Sequence, residues 1–124
     1  MTLKKRLARS NITMLVIPLL VAAAPAVLTA GPLTADTASR RVTKDGAEIP
    51  LKNREYELLL FLMRHPGQVF SRDRLLSAVW GTDYYGETRT VDVHIGTLRT
   101  KLGAAGDLLQ TVRGVGYKLE AYHE

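Results

Sequence analysis

Between Arg89 and Leu102 the apolar residues Val91, Ile95, Leu98 and Leu102 recur at steps of four, three and four, which lays one stripe along a helix. Off that stripe stand Val93, Gly96, Thr97, Thr100 and Lys101, with Arg89 at the start and Arg99 near the end. Thr88 or Thr90 is placed to cap the N-terminus, and Gly103 to close the C-terminus. A helix packed on one side and small, polar and basic on the other suits a DNA major groove. Taken alone, the same pattern is more often an ordinary surface helix.

The segment that follows changes this reading. Leu109–Leu119 predicts a β-hairpin: two short strands flank a Gly-x-Gly tip at Gly114 and Gly116, with Arg113 at its edge. A capped basic helix followed by a hairpin with a basic tip is the winged-helix arrangement, in which the helix enters the major groove and the hairpin reaches backbone or minor groove. Upstream, Leu58, Leu59, Leu62 and Met63 predict a helix over about Asn53–Arg64, stopped by His65-Pro66-Gly67. A second helix starts at Ser71 as N-cap and turns Leu75, Leu76, Val79 and Trp80 inward. Residues 81–87 form a loop before the basic helix. Earlier still, Pro32–Asp36, Arg40–Thr43 and Glu48–Leu51 are short β-like pieces separated by turn residues such as Asp45-Gly46.

Charge is local rather than general. The net charge of +5 over 124 residues owes much to Lys4, Lys5, Arg6 and Arg9; from Gly31 onward thirteen basic residues face twelve acidic ones. From Arg89 to Lys118, however, Arg89, Arg99, Lys101, Arg113 and Lys118 outnumber Asp92 and Asp107. A local basic surface is what phosphate contacts need. The chain has no cysteine, hence no disulfide framework and no thiolate metal site. His65, His94 and His123 are far apart in sequence, and no metal cluster, nucleophile elbow or phosphate-binding loop is present, so neither an enzyme nor a cofactor is expected.

Several ordered blocks carry a specific resemblance: Glu55-Tyr56-Glu57-Leu58-Leu59, Phe70–Leu76, Val79-Trp80-Gly81, Arg89–Ile95, Leu98-Arg99, Lys101-Leu102 and Thr111–Tyr117. Over about residues 28–120 the chain resembles the DNA-binding effector domain of OmpR/PhoB-type response regulators. The resemblance implies an α+β winged helix-turn-helix fold with a small N-terminal antiparallel sheet, three helices and a C-terminal hairpin wing. It implies sequence-specific binding of double-stranded DNA for transcriptional regulation in a two-component system. Trp80, Arg89, Arg99 and Thr111 match positions that contact phosphates or sugars, and Arg113 matches the wing residue directed at the minor groove. Trp80 is expected to be largely buried between the second and basic helices. Helical geometry and the resemblance agree that Val93 and Thr97 meet base edges, flanked by His94 and Arg99, with Thr90, Gly96 and Lys101 also assigned to the DNA side. Two departures stand out. Relatives often carry basic residues where this chain has Gly96 and Thr97, and Lys52 replaces the usual capping threonine, so the capping box is lost and Asn53 is left to cap. The loop residues Thr82, Asp83, Tyr84, Tyr85 and Glu87 match a segment implicated in contacts with RNA polymerase, although a plain connector reads equally well. A second copy on tandem half-sites is a further implied partner. No stretch of the chain is long enough for the receiver domain of the family's full members.

The N-terminal 27 residues lie outside the family pattern. A basic segment precedes an uncharged run from Ser10 to Ala35 whose apolar heart is Ile12–Ala26, as in a signal peptide or signal anchor. That heart is shorter than the roughly 20 residues that span a bilayer, and Pro18 and Pro25 interrupt it. A cytoplasmic N-terminus, which the basic residues slightly favour, would put the domain on the far side of the membrane from DNA. The sequence therefore favours a fused or non-inserted segment and a cytoplasmic, DNA-associated protein. The rival is a membrane-anchored or exported winged-helix interaction domain without DNA function.

Overall fold

The computed structural model describes residues 26–120, so the N-terminal segment through Pro25 and His123 lie outside the described residues. The chain opens with four antiparallel strands in sequence order: β1 (Val27–Ala30), β2 (Leu33–Asp36), β3 (Arg41–Lys44) and β4 (Ala47–Ile49). Leu33, Ala35 and Val42 are buried because alternate residues of a strand share a face, and that face packs on the helices. Asp45 and Gly46, at φ 52° and 85°, turn β3 into β4, as asparagine, aspartate and glycine do most readily. The first strand begins at Val27, so the end of the long apolar run is sheet. Among the described residues no helix is long and apolar enough to cross a membrane.

Helix α1 (Asn53–Arg64) has the predicted bounds and buries Tyr56, Leu58, Leu59, Leu62 and Met63. Its entry differs from the expected capping. Lys52 is the N-cap, in extended conformation, and its ammonium has no lone pair to offer a backbone N–H. The reciprocal half of the box survives: the Lys52 backbone N–H donates to Glu55 Oε1 at 2.9 Å. Asn53 does not cap; its side-chain oxygen accepts from Arg40.

Strand β5 (Phe70–Ser71) precedes α2, which is α-helical over Arg72–Leu75 and widens to a π turn over Leu76–Trp80. Ser71 caps α2 as expected, accepting from the Arg74 N–H at 3.1 Å. Helix α3 (Arg89–Leu102) seats Val91, Ile95, Leu98 and Leu102 in the core, each fully buried. Neither threonine caps it through a side chain: Thr88 already has helical angles, and the Thr90 and Val91 N–H groups bond to the Glu87 and Thr88 carbonyls. Gly103, at φ 60°, closes the helix, and Lys44 Nζ donates to the Leu102 carbonyl at 3.2 Å.

A 3-10 turn (Gly103–Leu108) leads to the hairpin of β6 (Leu109–Val112) and β7 (Gly116–Leu119). The hairpin is not free-standing. β5 pairs with β7, Phe70 opposite Tyr117 and Ser71 opposite Gly116, to give a three-stranded sheet in the order β5-β7-β6. A Cβ at Gly116 would lie 1.9 Å from the Phe70 carbonyl oxygen, so only glycine permits that approach. The whole is an α+β winged helix-turn-helix.

Candidate nucleic-acid interface

The burial of the apolar stripe of α3 leaves its opposite side outward. Val93 is 60% exposed, Gly96 and Thr100 are exposed, and Thr97 is half-buried. Arg89 stands one turn before Val93 on the same side, its side chain 80% exposed and 4.0 Å from Glu87. Arg113 and Gly114 are exposed in the turn between β6 and β7, at the tip of the wing. The outward face of α3, Arg89 and Arg113 therefore all remain open to a ligand.

The two flanks of α3 are occupied by the fold itself. On one flank His94 Nδ1 lies 2.8 Å from the Thr90 carbonyl oxygen, and its ring meets Trp80 edge-on at 4.9 Å between centroids. Trp80 is half-buried rather than fully buried, because it ends the π turn of α2 and packs only partly against the core. On the same flank Lys101 Nζ reaches Glu55 Oε1 at 2.6 Å. Lys101, which the resemblance assigns to the DNA side, pairs its ammonium in the fold with this carboxylate at the start of α1. Glu55 is 3% exposed, yet its carboxyl lies below the ordinary value. Burial raises it, and the bonds from Lys101 and the Lys52 N–H, with both lysine charges, outweigh that effect.

On the other flank Arg99 Nε and Nη2 donate to the Leu109 carbonyl at 3.0 and 2.7 Å, and Nη2 also to Thr111 Oγ1 at 2.9 Å. Arg99 and Thr111, both read as phosphate contacts, thus first join α3 to the wing. Asp92 does the same nearer the N-terminus. Its Oδ1 accepts from Tyr117 OH at 2.5 Å and from Arg72 Nε at 2.8 Å. Asp92 is held below the ordinary carboxylate value: burial raises it, but the bonds from Tyr117 and Arg72 and the charges of Arg72 and Arg89 prevail. Burial, then the bond to Asp92, push the Tyr117 hydroxyl up. Arg72 and Asp92 were missing from the sequence-based site, since they lie 20 residues apart and nothing in their spacing pairs them.

The loop before α3 is exposed at Thr82, Asp83, Tyr84, Tyr85 and Glu87, with Tyr85 94% exposed and Tyr84 6.4 Å from Trp80 between ring centroids. Among the described residues no group of three or more His, Cys, Asp or Glu could hold a metal ion.

This architecture has known counterparts. Residues 46–119 match the family described as "Transcriptional regulatory protein, C terminal". The chain is 46% identical over 97 residues to the phosphate regulon transcriptional regulatory protein PhoB of Rhizobium meliloti, covering 77% of this chain and 43% of that protein. It is 47% identical over 98 residues to the sensory transduction protein RegX3 of Mycobacterium leprae, covering 77% of this chain and 50% of the relative. The chain thus spans half or less of the length of these relatives. Among solved structures, the Klebsiella pneumoniae RstA DNA-binding domain in complex with the RstA box superposes with a TM-score of 0.69 at 34% identity, over 77% of this chain and 98% of that one. The Thermotoga maritima response regulator DrrB, an OmpR/PhoB homologue, gives a TM-score of 0.70 at 30% identity over 77% of this chain and 44% of that one.

Proposed function

The chain belongs to the family of transcriptional regulatory protein C-terminal domains, and from that premise we propose that it binds double-stranded DNA sequence-specifically to regulate transcription, as a response-regulator effector module. The winged-helix DNA-binding domain takes in residues 28–124, with α3 in the major groove and Arg113 at the adjacent minor groove. The observation that carries this reading is the outward face of α3 from Arg89 to Thr100, left open while every other side of the helix is packed.

In this reading Val93 and Thr97 meet base edges, Arg89 holds phosphate, and Thr111, Thr90, Gly96 and Trp80 line the approach. His94 borders the face. Arg99 reaches the backbone with whatever its wing bonds leave free. The exposed loop from Thr82 to Glu87 is offered to RNA polymerase, a second copy occupies a tandem half-site, and the protein works in the cytoplasm with the DNA. The experiment is a salt titration of the full chain on specific and scrambled duplexes. Loss of binding on both with rising salt, and a residual preference for one sequence, are expected. No retention of any duplex at low salt would overturn the proposal.

A further inference from the structure

The proposed DNA face is chemically one-sided. The Thr97 hydroxyl donates its hydrogen to the Val93 carbonyl at 3.1 Å, and the Thr100 hydroxyl donates to the Gly96 carbonyl at 3.2 Å. His94, on the flank, turns Nδ1 to the Thr90 carbonyl. Val93 offers methyl groups and Gly96 nothing at all. Val93, Thr97 and Thr100 thus give the outward face methyls and hydroxyl lone pairs, with no side-chain donor that is not already bonded within the helix.

Base pairs differ in the major groove in this respect. Each pair shows two acceptors and one donor, guanine N7 and O6 with the cytosine amino group, or adenine N7 and thymine O4 with the adenine amino group; only thymine adds a methyl group. A face of methyls and acceptors meets the amino donor of either pair alike, so what it distinguishes is the thymine methyl, and it lacks the donors by which guanine is read. Resting on the DNA-binding reading above, we infer that α3 selects A·T pairs at the centre of its major-groove site through the thymine methyl, with no side-chain donor there to read guanine. Gly96 sets this selectivity. It is exposed on the helix surface and a Cβ there meets nothing within 4 Å, so an arginine fits and would bring donors onto the face.

The test selects duplexes from a randomised pool with the full chain, then edits the retained sites. Replacing a central A·T pair by hypoxanthine·C gives the major groove of G·C and the minor groove of A·T. This separates reading by α3 from any A·T preference of Arg113 at the wing. Binding should fall by about five- to a hundredfold at a contacted pair. Deoxyuridine in place of a contacted thymidine, which removes only the methyl, should weaken binding several-fold. Gly96→Arg, which also replaces glycine by a better helix former, should move the selected sites toward guanine. Central guanines selected by the unmodified chain, or indifference to both edits, would overturn the inference while leaving DNA binding standing. A chain that retains no duplex even at low salt would bring down the DNA-binding reading first and this inference with it.

Discussion

Tyr117, on the second strand of the wing, donates to Asp92, in the first turn of α3, at 2.5 Å. With Arg72 on the same carboxylate oxygen, one acidic side chain fixes three elements. Tyr117→Phe should lower stability by about 1 kcal/mol, the net worth of a part-buried hydrogen bond. Because Asp92 sits below its ordinary value when folded, its contribution is present above the unfolded carboxyl range and is lost as pH falls through the folded value. Tyr117 is displaced upward, so its contribution is lost only as pH rises through its folded value. Denaturant midpoints of wild type and Asp92→Asn between acid and neutral pH check this. The variant should show a shallower loss toward acid.

Lys101→Ala should separate folding from binding. It strips a buried carboxylate of its charged partner and should cost about 2 kcal/mol or more. The salt slope of DNA binding should not change, since this ammonium is already engaged by Glu55. A slope reduced by about one unit would return Lys101 to the phosphate contacts.

Arg89 and Arg99 should part company in the same way. Arg89→Ala should leave the thermal midpoint unchanged and reduce the salt slope by about one unit, as loss of one phosphate contact does. Arg99→Ala removes three hydrogen bonds to the wing and should destabilise the fold by about 2 kcal/mol before any effect on DNA is counted. Thermal melts and salt titrations on one pair of duplexes read both.

Lys52→Thr should stabilise the fold by up to about 1 kcal/mol, in the range of N-cap substitutions. Lys52 already has the extended backbone of an N-cap, and Glu55 already accepts its N–H, so the hydroxyl would complete a half-made box. An unchanged denaturant midpoint would show that solvent satisfies the remaining N–H groups equally well.

The helices were legible because burial writes a period into the sequence: the stripe of Val91, Ile95, Leu98 and Leu102 is the buried stripe. The hairpin was legible from its glycines. Strand β5 was not, since two residues carry no alternation, and its evidence is Gly116, whose need for a bare Cα appears only against Phe70. The outward face followed from the inward one. What spacing could not supply was which charges the fold uses internally. Lys101 and Arg99 read as cations free for phosphate until Glu55 and the Leu109 carbonyl were brought to them by chain folding.

The pairing of Phe70 with Tyr117 and Ser71 with Gly116 has a mechanical meaning. Ser71 is at once the last residue of that strand and the cap of α2, so wing and helix-turn-helix meet in a shared residue rather than through a tether. In the proposed docking, the opening between the two jaws on adjacent grooves is set by backbone pairing, as the gap of a caliper is set by its frame. Duplexes whose groove spacing matches that opening need no adjustment of the protein, and mismatched duplexes must themselves bend or twist to be held.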